Sequence, residues 1–225
     1  MNADFSRPVL AIDTSTSYLS LAIYAQGQTW SHHEEVGTKQ SALILPALDA
    51  LLKQASLSRQ DLGCIVYAQG PGAFTGLRIG LGVAQGLALA QNLPLIGIDC
   101  LEAIASLATN EAYVLAASDA RMGEVFYAWF NTQNLTRLSE DMVGKAQDIA
   151  LPEGITTATG IGNAYNVYAE QLPVTGRSDM PTAVDYLNLA LSGRFEATDA
   201  SAVHLRYVRN KVALTAIEQA ARKTC

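Results

Sequence analysis

Three short stretches rich in apolar residues occupy the first 36 residues. Apolar residues fill "PVLAID" at 8–13, alternate with polar ones over Leu19–Tyr24, and recur in "QTWSHHEEV" at 28–36. The intervening "AQGQ" has the composition of a hairpin turn. The pattern predicts three antiparallel strands joined by tight turns.

Beyond residue 36 the apolar residues recur at helical spacing in two longer segments. Helices are predicted at about Gln40–Ala55 and from Phe74 to Gln91, with a short buried strand at 63–69 between them. "LPLIGID" predicts another strand, and Asp99 is then expected to be the N-cap of a helix over Leu101–Ala108.

The same order of elements begins again at residue 112. Residues 112–143 predict three more strands, and "AASDARMG" repeats the small-residue turn with an aspartate that "AIDTSTS" forms in the first half. "TTATGIGNAYNVYAEQL" predicts a strand, a glycine turn and a helix, and "TAVDYLNLALSGR" a last helix. We therefore predict a duplicated α/β protein with an N-terminal lobe at 1–109, and a C-terminal lobe with reduced helices at 110–225.

This duplicated order resembles the actin-like and Hsp70-like ATPase superfamily, whose lobes have a ribonuclease-H-like fold. Its members bind ATP between the lobes with the first hairpin turn of each. In this chain those turns contain Asp13, followed by Thr14, and Asp119, with no glycine directly after either aspartate. We expect both aspartates to form turns through their own hydrogen bonds, and a nucleotide site at Asp13, Thr14 and Asp119 is the alternative.

Composition limits the partners of the chain. It has 225 residues, 49% of them hydrophobic and 16% charged, and a formal net charge of −6. An acidic chain is a poor candidate for autonomous nucleic-acid binding, because phosphate contacts need basic surface. One basic group lies near the C-terminus, where we expect a solvated face, and it consists of Arg206, Arg209, Lys211, Arg222 and Lys223. No membrane span or signal segment is recognisable, so a cytoplasmic protein is expected.

Neither the cysteines nor the histidines have the spacing of a metal or redox site. Cys64, Cys100 and Cys225 form no CxxC pair, and Cys64 and Cys100 are predicted to be small core residues. The three histidines form no HxxxH or HExxH motif, and no GxSxG nucleophile turn is present. We predict no catalytic residue, no metal and no cofactor.

The glycine-rich segment "QGPGAFTGLRIGLGVAQGLALAQ" raises the question of a phosphate loop. It lacks the lysine of a P-loop, and Gly70, Gly72 and Gly76 are spaced one residue too widely for a dinucleotide fingerprint. An anion held by the backbone at the start of the helix is the remaining phosphate-binding alternative.

A docking surface explains the segment better. The helix at 74–91 is apolar on nearly every side, and "SALILPALDALL" in the preceding helix has the same character. Glycine costs a helix about 0.5–1 kcal/mol relative to alanine, so four helical glycines indicate close approach of another backbone. The predicted partner-binding residues are Leu43, Leu45, Leu48, Leu52, Gly76, Arg78, Ile79, Gly80, Val83, Gly86 and Leu87. Arg78 is expected either to pair with an acidic residue across the interface or to cap the first helical turn.

Four segments together resemble the bacterial TsaB (YeaZ) family. They are "AIDTSTSYLSLAIY", "QGPGAFTGLRIGLGVAQGLA", "PLIGIDCLEAIA" and "SDARMGEVFYAWF", and the likeness covers residues 8–130. This chain departs from the family pattern at Gln40, where many relatives have histidine, and one candidate polar contact is therefore lost. In the tail, "HLRYV" lacks the Pro-x-Tyr-Leu-Arg form, and only Arg206 is retained as a candidate.

The resemblance implies a non-catalytic subunit. TsaB proteins are silent paralogues of TsaD, which transfers threonylcarbamoyl to the adenosine next to the tRNA anticodon, and they act together with the ATPase TsaE. The implied partners are TsaD as a heterodimer and TsaE through that complex, and we expect a homodimer through the same helices when the chain is alone. The alternative is an ATP-binding hydrolase or glycopeptidase-like enzyme that uses the cleft between the lobes.

Overall fold

The computed structural model describes residues 3–108 and 110–208 and contains two β-sheets. The strands of the first sheet are β1 (Val9–Asp13), β2 (Tyr18–Ala25), β3 (Gln28–Glu35), β4 (Cys64–Gly70) and β5 (Leu95–Asp99). Their order is β3-β2-β1-β4-β5, with β1 to β3 antiparallel and β4 and β5 parallel to β1. The predicted hairpins and buried strands of this half are confirmed.

The second sheet repeats this topology. Its strands are β6 (Tyr113–Arg121), β7 (Glu124–Asn131), β8 (Thr136–Arg137), β9 (Met142–Gly144), β10 (Thr159–Ile161) and β11 (Gly176–Arg177). The order is β11-β10-β6-β7-β8, and β9 also pairs with β7. Because β6 and β7 are antiparallel while β10 and β11 run parallel to β6, the predicted duplication of a ribonuclease-H-like unit is confirmed.

The helices differ between the two halves. They are α1 (Gln40–Gln54), α2 (Phe74–Gln91), α3 (Cys100–Ala105), α4 (Tyr165–Tyr168) and α5 (Ala183–Leu191). The second half has a 3-10 turn at Ala146–Asp148 where the first has α1, and the four-residue α4 where the first has α2. Within the described ranges, no helix combines the length and apolarity needed to cross a membrane.

The last helix of each half packs against the sheet of the other half. Leu101 and Ile104 of α3 lie in one core cluster with Phe126 of β7. Tyr186 and Leu187 of α5 lie in another with residues of β1 and β4. The predicted Asp99 cap is confirmed, since its Oδ1 accepts a hydrogen bond from the Glu102 amide at 2.9 Å. The two sheets are therefore joined through buried apolar contacts.

Both described cysteines are core residues, as predicted. Cys64 and Cys100 are buried and unpaired, and burial raises the pKa of the Cys64 thiol to about 12. Of the predicted basic face, Arg209, Lys211, Arg222 and Lys223 lie outside the described residues, together with Cys225. Arg206 is described and contacts two buried aspartates.

Candidate docking surface and interlobe cleft

Helices α1 and α2 cover one side of the first sheet and leave an apolar surface facing solvent. Phe74 and Leu89 of α2 are 47% and 64% exposed, and Leu45 of α1 is 43% exposed. At 100° per residue, Phe74, Gly82, Gly86 and Leu89 fall on one side of α2. We call the solvent-facing set Leu45, Phe74, Gly82, Gly86 and Leu89 the α1–α2 face. Leu43, Ile79 and Val83, also predicted for docking, are partly buried beside it.

Three of the predicted docking residues belong to the core of the chain. Leu48, Leu52 and Leu87 are 0%, 3% and 9% exposed and pack with the residues of the first sheet. They lie on the opposite side of their helices from solvent, so the prediction that they contact a partner is wrong. Because both helices are apolar on nearly every side, their pattern did not reveal which side meets the sheet.

Gly76 and Gly80 also serve the fold. A Cβ atom at Gly76 would lie 2.0 Å from the carbonyl oxygen of Thr14, and one at Gly80 would lie 2.4 Å from its hydroxyl. These glycines allow the β1–β2 turn to lie close to α2. The close backbone approach predicted for them is therefore made within the chain and not with a partner. By contrast, a Cβ at Gly82 or Gly86 would meet nothing within 4 Å.

The β1–β2 turn is closed by its own hydrogen bonds and by the start of α2. The Ser15 amide donates to Asp13 Oδ1 at 2.8 Å, and the Ala73 amide donates to the Ser15 carbonyl at 2.7 Å. Asp13 and Thr14 are 4% and 2% exposed, and burial raises the pKa of the Asp13 carboxyl. The turn-forming role predicted for Asp13 is confirmed, and neither Asp13 nor Thr14 lines the cleft described below.

Gln40 is a structural residue that the sequence did not reveal. Its buried side-chain amide donates to the carbonyls of Thr16 and Tyr18 at 2.8 Å each and approaches that of Thr14 at 3.4 Å. These bonds lie within the chain, so Gln40 supports the fold, and the loss of a polar contact with a partner stays a prediction. A single polar residue at a helix start gives no signal of which distant carbonyls it meets.

Asp119 occupies the equivalent turn of the second half. Its Oδ1 accepts a hydrogen bond from the Arg121 amide at 2.8 Å, as Asp13 does from Ser15. The Asp119 amide donates to Asn163 Oδ1, also at 2.8 Å. The predicted turn-forming role is confirmed. Asp119 alone of the three candidate nucleotide-binding residues lines the cleft.

A cleft of about 1110 Å³ separates the facing ends of the two halves. Ser15 and His33 line it from the first half, Asp119 and Arg121 from the second, and Arg206 from the C-terminal segment. Acidic and basic side chains are mixed along its walls, which lack the strongly basic character of a polyphosphate site. In the described part of the chain, no group of three histidine, cysteine or acidic side chains is arranged to hold a metal ion.

A buried ionic cluster joins the two halves to the C-terminal segment. Asp99 ends β5, Arg137 ends β8, Asp141 precedes β9, and Arg206 follows α5. Each arginine contacts both aspartates. Arg137 Nη2 lies 3.0 Å from Asp99 Oδ1, and its Nη1 contacts Asp141. Arg206 Nε lies 3.2 Å from Asp99 Oδ2, and its Nη2 lies 3.1 Å from Asp141 Oδ2. Burial and the neighbouring Asp141 raise the pKa of Asp99 to about 7. The sequence analysis named Asp99 as a helix cap and Arg206 as a candidate, but it did not indicate that they meet.

Arg78 stacks on aromatic rings at the start of α2. Its Cζ lies 3.3 Å from the ring centroid of Phe74 and 5.3 Å from that of Tyr207, and the two rings lie 5.9 Å apart. No side chain caps the first turn of α2, so the expectation that Arg78 caps it is wrong. Among the described residues, Arg78 forms no ion pair with a carboxylate.

Comparison with known proteins gives consistent matches over most of the chain. A family model described as "TsaD: tRNA N6-adenosine threonylcarbamoyltransferase" matches residues 32–219. The tRNA threonylcarbamoyladenosine biosynthesis protein TsaB of Escherichia coli K12 is 34% identical over 91% of this chain and 96% of its own length. The corresponding protein of Haemophilus influenzae is 31% identical over 91% and 94%.

A solved structure agrees with these sequence matches. YeaZ from Pseudomonas aeruginosa is 32% identical, and it superposes with a TM-score of 0.81 over 89% of this chain and 99% of that one. The resemblance that four sequence segments indicated is confirmed, and the chain belongs to the TsaB (YeaZ) family.

Proposed function

We propose that this protein is a non-catalytic subunit in the biosynthesis of threonylcarbamoyladenosine in tRNA. In this proposal it binds a TsaD-type threonylcarbamoyltransferase, which modifies the adenosine next to the anticodon, and holds it in a competent state. The names of the TsaB relatives and the match to the TsaD family model support this role. The single observation that carries the docking claim is the uncovered α1–α2 face.

The two open glycines make this face unusual for a helix exposed to solvent. Alanine at Gly82 or Gly86 would meet no atom within 4 Å, yet each glycine costs α2 about 0.5–1 kcal/mol relative to alanine. No contact inside the described chain explains that cost, whereas a partner helix lying close to α2 would. The exposed rings and methyl groups of Leu45, Phe74 and Leu89 supply the apolar area for such a contact.

Arg78 indicates the chemistry of the partner surface. At 100° per residue it lies on the same side of α2 as Phe74 and Gly82, and it is stacked on Phe74. A guanidinium that loses water on docking needs an acceptor, because an uncompensated charge in an interface is costly. We infer that the partner presents a carboxylate to Arg78.

The proposed partnership extends to two further assemblies. TsaE would act through the complex with the TsaD-type protein. Without that partner, two copies of this chain would cover the α1–α2 face by self-association, since the same patch can serve both sides of a two-fold dimer. Dimer and heterodimer would then compete for one surface.

A matched pair of substitutions tests the docking claim. Leu89→Asp places a charge on the α1–α2 face, and Val167→Asp places one on α4 at a similar exposure, 59% against 64%. We expect Leu89→Asp to weaken the affinity for the organism's own TsaD protein at least about tenfold, and Val167→Asp to leave it unchanged. Titration calorimetry measures both, with circular dichroism as the check on folding. Equal affinities of the two variants would contradict the proposal.

A second experiment tests the proposal that the protein is not an ATP-binding enzyme. Calorimetry of the isolated protein with ATP and magnesium should give no binding at micromolar concentrations, because the β1–β2 turn is closed by α2 and by its own hydrogen bonds. A dissociation constant below about 100 µM, near −5.5 kcal/mol, would favour the ATP-binding enzyme instead. Omission of the chain from a reconstituted modification mixture should abolish threonylcarbamoyladenosine formation.

A further inference from the structure

Residues 203–208, here called the C-terminal strap, run beside the end of β4. The Arg206 amide donates to the carbonyl of Gln69 at 2.9 Å, and the Tyr67 hydroxyl donates to the carbonyl of His204 at 3.2 Å. A Cβ at Gly70 would lie 2.8 Å from the Arg206 carbonyl oxygen. The strap is therefore in close backbone contact with the strand that leads into α2.

The side chain of Arg206 fixes the strap to both halves of the molecule. Its guanidinium lies 3.2 Å from Asp99 and 3.1 Å from Asp141, whose side chains are only 4% and 5% exposed. Arg137 contacts the same two carboxylates from the other side. Both arginines lie between the same two carboxyl groups, so removal of one would leave a single guanidinium to compensate two buried acidic side chains.

The next residue turns outward to the α1–α2 face. Tyr207 is 49% exposed, and its ring stands 5.9 Å from that of Phe74 and 5.3 Å from the Arg78 guanidinium. The Arg78 guanidinium thus has an aromatic ring of α2 and one of the strap within cation–π distance. The aromatic end of the face is built from two segments that are far apart in sequence.

We propose that the C-terminal strap is a third element of the partner-docking surface, with Arg206 as the residue that positions it. Arg206 is held by Asp99 and Asp141, and it keeps Tyr207 against Phe74 and Arg78, where the TsaD-type partner contacts the tyrosine ring. The inference rests on the proposed function and extends it beyond the two helices. Aromatic and arginine side chains at such positions commonly dominate interface energy.

Affinity measurements on single and double variants test the inference. Tyr207→Ala and Arg206→Met should each weaken the affinity for the organism's own TsaD protein about tenfold. The double variant should lose no more than either single one, because both changes remove the same contact. Arg194→Met is the control: Arg194 pairs with Glu102 at 3.5 Å and has a similar exposure, 44% against 39%, but is not part of the strap. It should bind with full affinity.

Hydrogen exchange on the free protein separates positioning from general destabilisation. Arg206→Met should accelerate exchange in peptides covering 203–208 and leave α2 unchanged, whereas Tyr207→Ala and Arg194→Met should not accelerate it. If Arg206→Met does not fold, Tyr207→Ala decides the matter alone, because this exposed side chain can be truncated without opening the core.

The outcomes distinguish the two proposals. If the wild-type protein binds its partner and Leu89→Asp breaks the complex, while Tyr207→Ala binds as tightly as wild type, the strap inference is wrong and the proposed function stands. If the losses of Arg206→Met and Tyr207→Ala add, Arg206 does not act through Tyr207 and the inference is again wrong. A wild-type protein that does not bind TsaD at all would overturn both proposals.

Discussion

The hydroxyl of Thr14 donates a hydrogen bond to the carbonyl oxygen of Gly76 at 2.8 Å, which joins the β1–β2 turn to the first turns of α2. The contact is close enough that no side chain fits at Gly76 or Gly80. The glycines that resembled a phosphate loop in the sequence therefore bring a hairpin turn and a helix together. The turn that the sequence analysis kept as an alternative nucleotide site is packed against protein here.

Alanine substitutions separate the two kinds of glycine in α2. Gly76→Ala places a Cβ 2.0 Å from the backbone oxygen of Thr14, so the turn or the helix must shift, at a cost of about 1–3 kcal/mol or more in unfolding free energy. Gly82→Ala meets nothing within 4 Å and should stabilise the free protein by about 0.5–1 kcal/mol through helix propensity. Urea denaturation of both variants measures the difference. If both variants changed the unfolding free energy in the same direction, the distinction between the two kinds of glycine would be wrong.

Gln40→Glu tests the polar anchor at the start of α1. The glutamine amide donates to the carbonyls of Thr16 and Tyr18, and a carboxylate at pH 7 has no proton to donate there. Leaving partly buried carbonyls unpaired, and placing a charge at the buried position 40, should lower the unfolding free energy by about 2–3 kcal/mol or more. Gln54→Glu makes the same chemical change at an exposed position near the end of α1 and should change it by about 0.5 kcal/mol or less. A similar small effect at both positions would refute the anchoring role.

Asp13 gives the fold a defined pH dependence. Burial raises the pKa of its carboxyl above the ordinary 3.8, against the opposing hydrogen bonds from Ser15. The titratable side chains of His33, Cys100 and Tyr186 lie around it. The folded state then holds the proton more tightly than the unfolded state, so the unfolding free energy falls as pH rises from about 4 until the folded pKa is passed.

Asp13→Asn removes this titration while keeping the oxygen that accepts the Ser15 amide. The stability advantage of the variant over wild type should therefore grow between pH 4 and pH 8 and be smallest at pH 4. Denaturation curves of both proteins across this range give the two unfolding free energies. Subtracting one from the other removes the contribution of every other group that titrates equally in both. A difference that does not change with pH would show that burial of Asp13 does not shift its titration.

The strands, the long helices and the duplication were predictable because each rests on local pattern. A continuous apolar run predicted β1, alternation predicted β2, helical spacing predicted α1 and α2, and Asp99 marked the start of α3. The orientation of the helices was not predictable. Leu45 is 43% exposed and Leu48 is 0% exposed, and in a helix that is apolar on nearly every side the two positions look alike in sequence.

The ionic cluster could not be predicted for a different reason. Asp99, Arg137, Asp141 and Arg206 come from a strand end, a second strand, a loop and the C-terminal segment. Their spacing follows no period and no motif, and they meet only because both sheets and the strap are in place. Tertiary contacts of this kind leave no trace in one sequence.

Arg78 provides the most direct test of the chemistry of the partner. In the free protein the side chain is exposed and stacks on Phe74, so Arg78→Met should change the unfolding free energy by only about 0.5–1 kcal/mol. Its effect on binding should be larger: loss of the guanidinium should weaken the affinity for TsaD about tenfold, and Arg78→Glu should weaken it further through repulsion of the partner carboxylate. Because the proposed pair is ionic, the affinity of Arg78→Met should depend less on salt concentration than that of wild type. Titration calorimetry at two ionic strengths measures both quantities, with Arg194→Met as the control for loss of a positive charge elsewhere.

Unchanged affinity and salt dependence in Arg78→Met would mean that the partner presents no carboxylate to this residue. Recovery of Arg78→Glu by an acid-to-lysine change on the partner would identify the carboxylate itself.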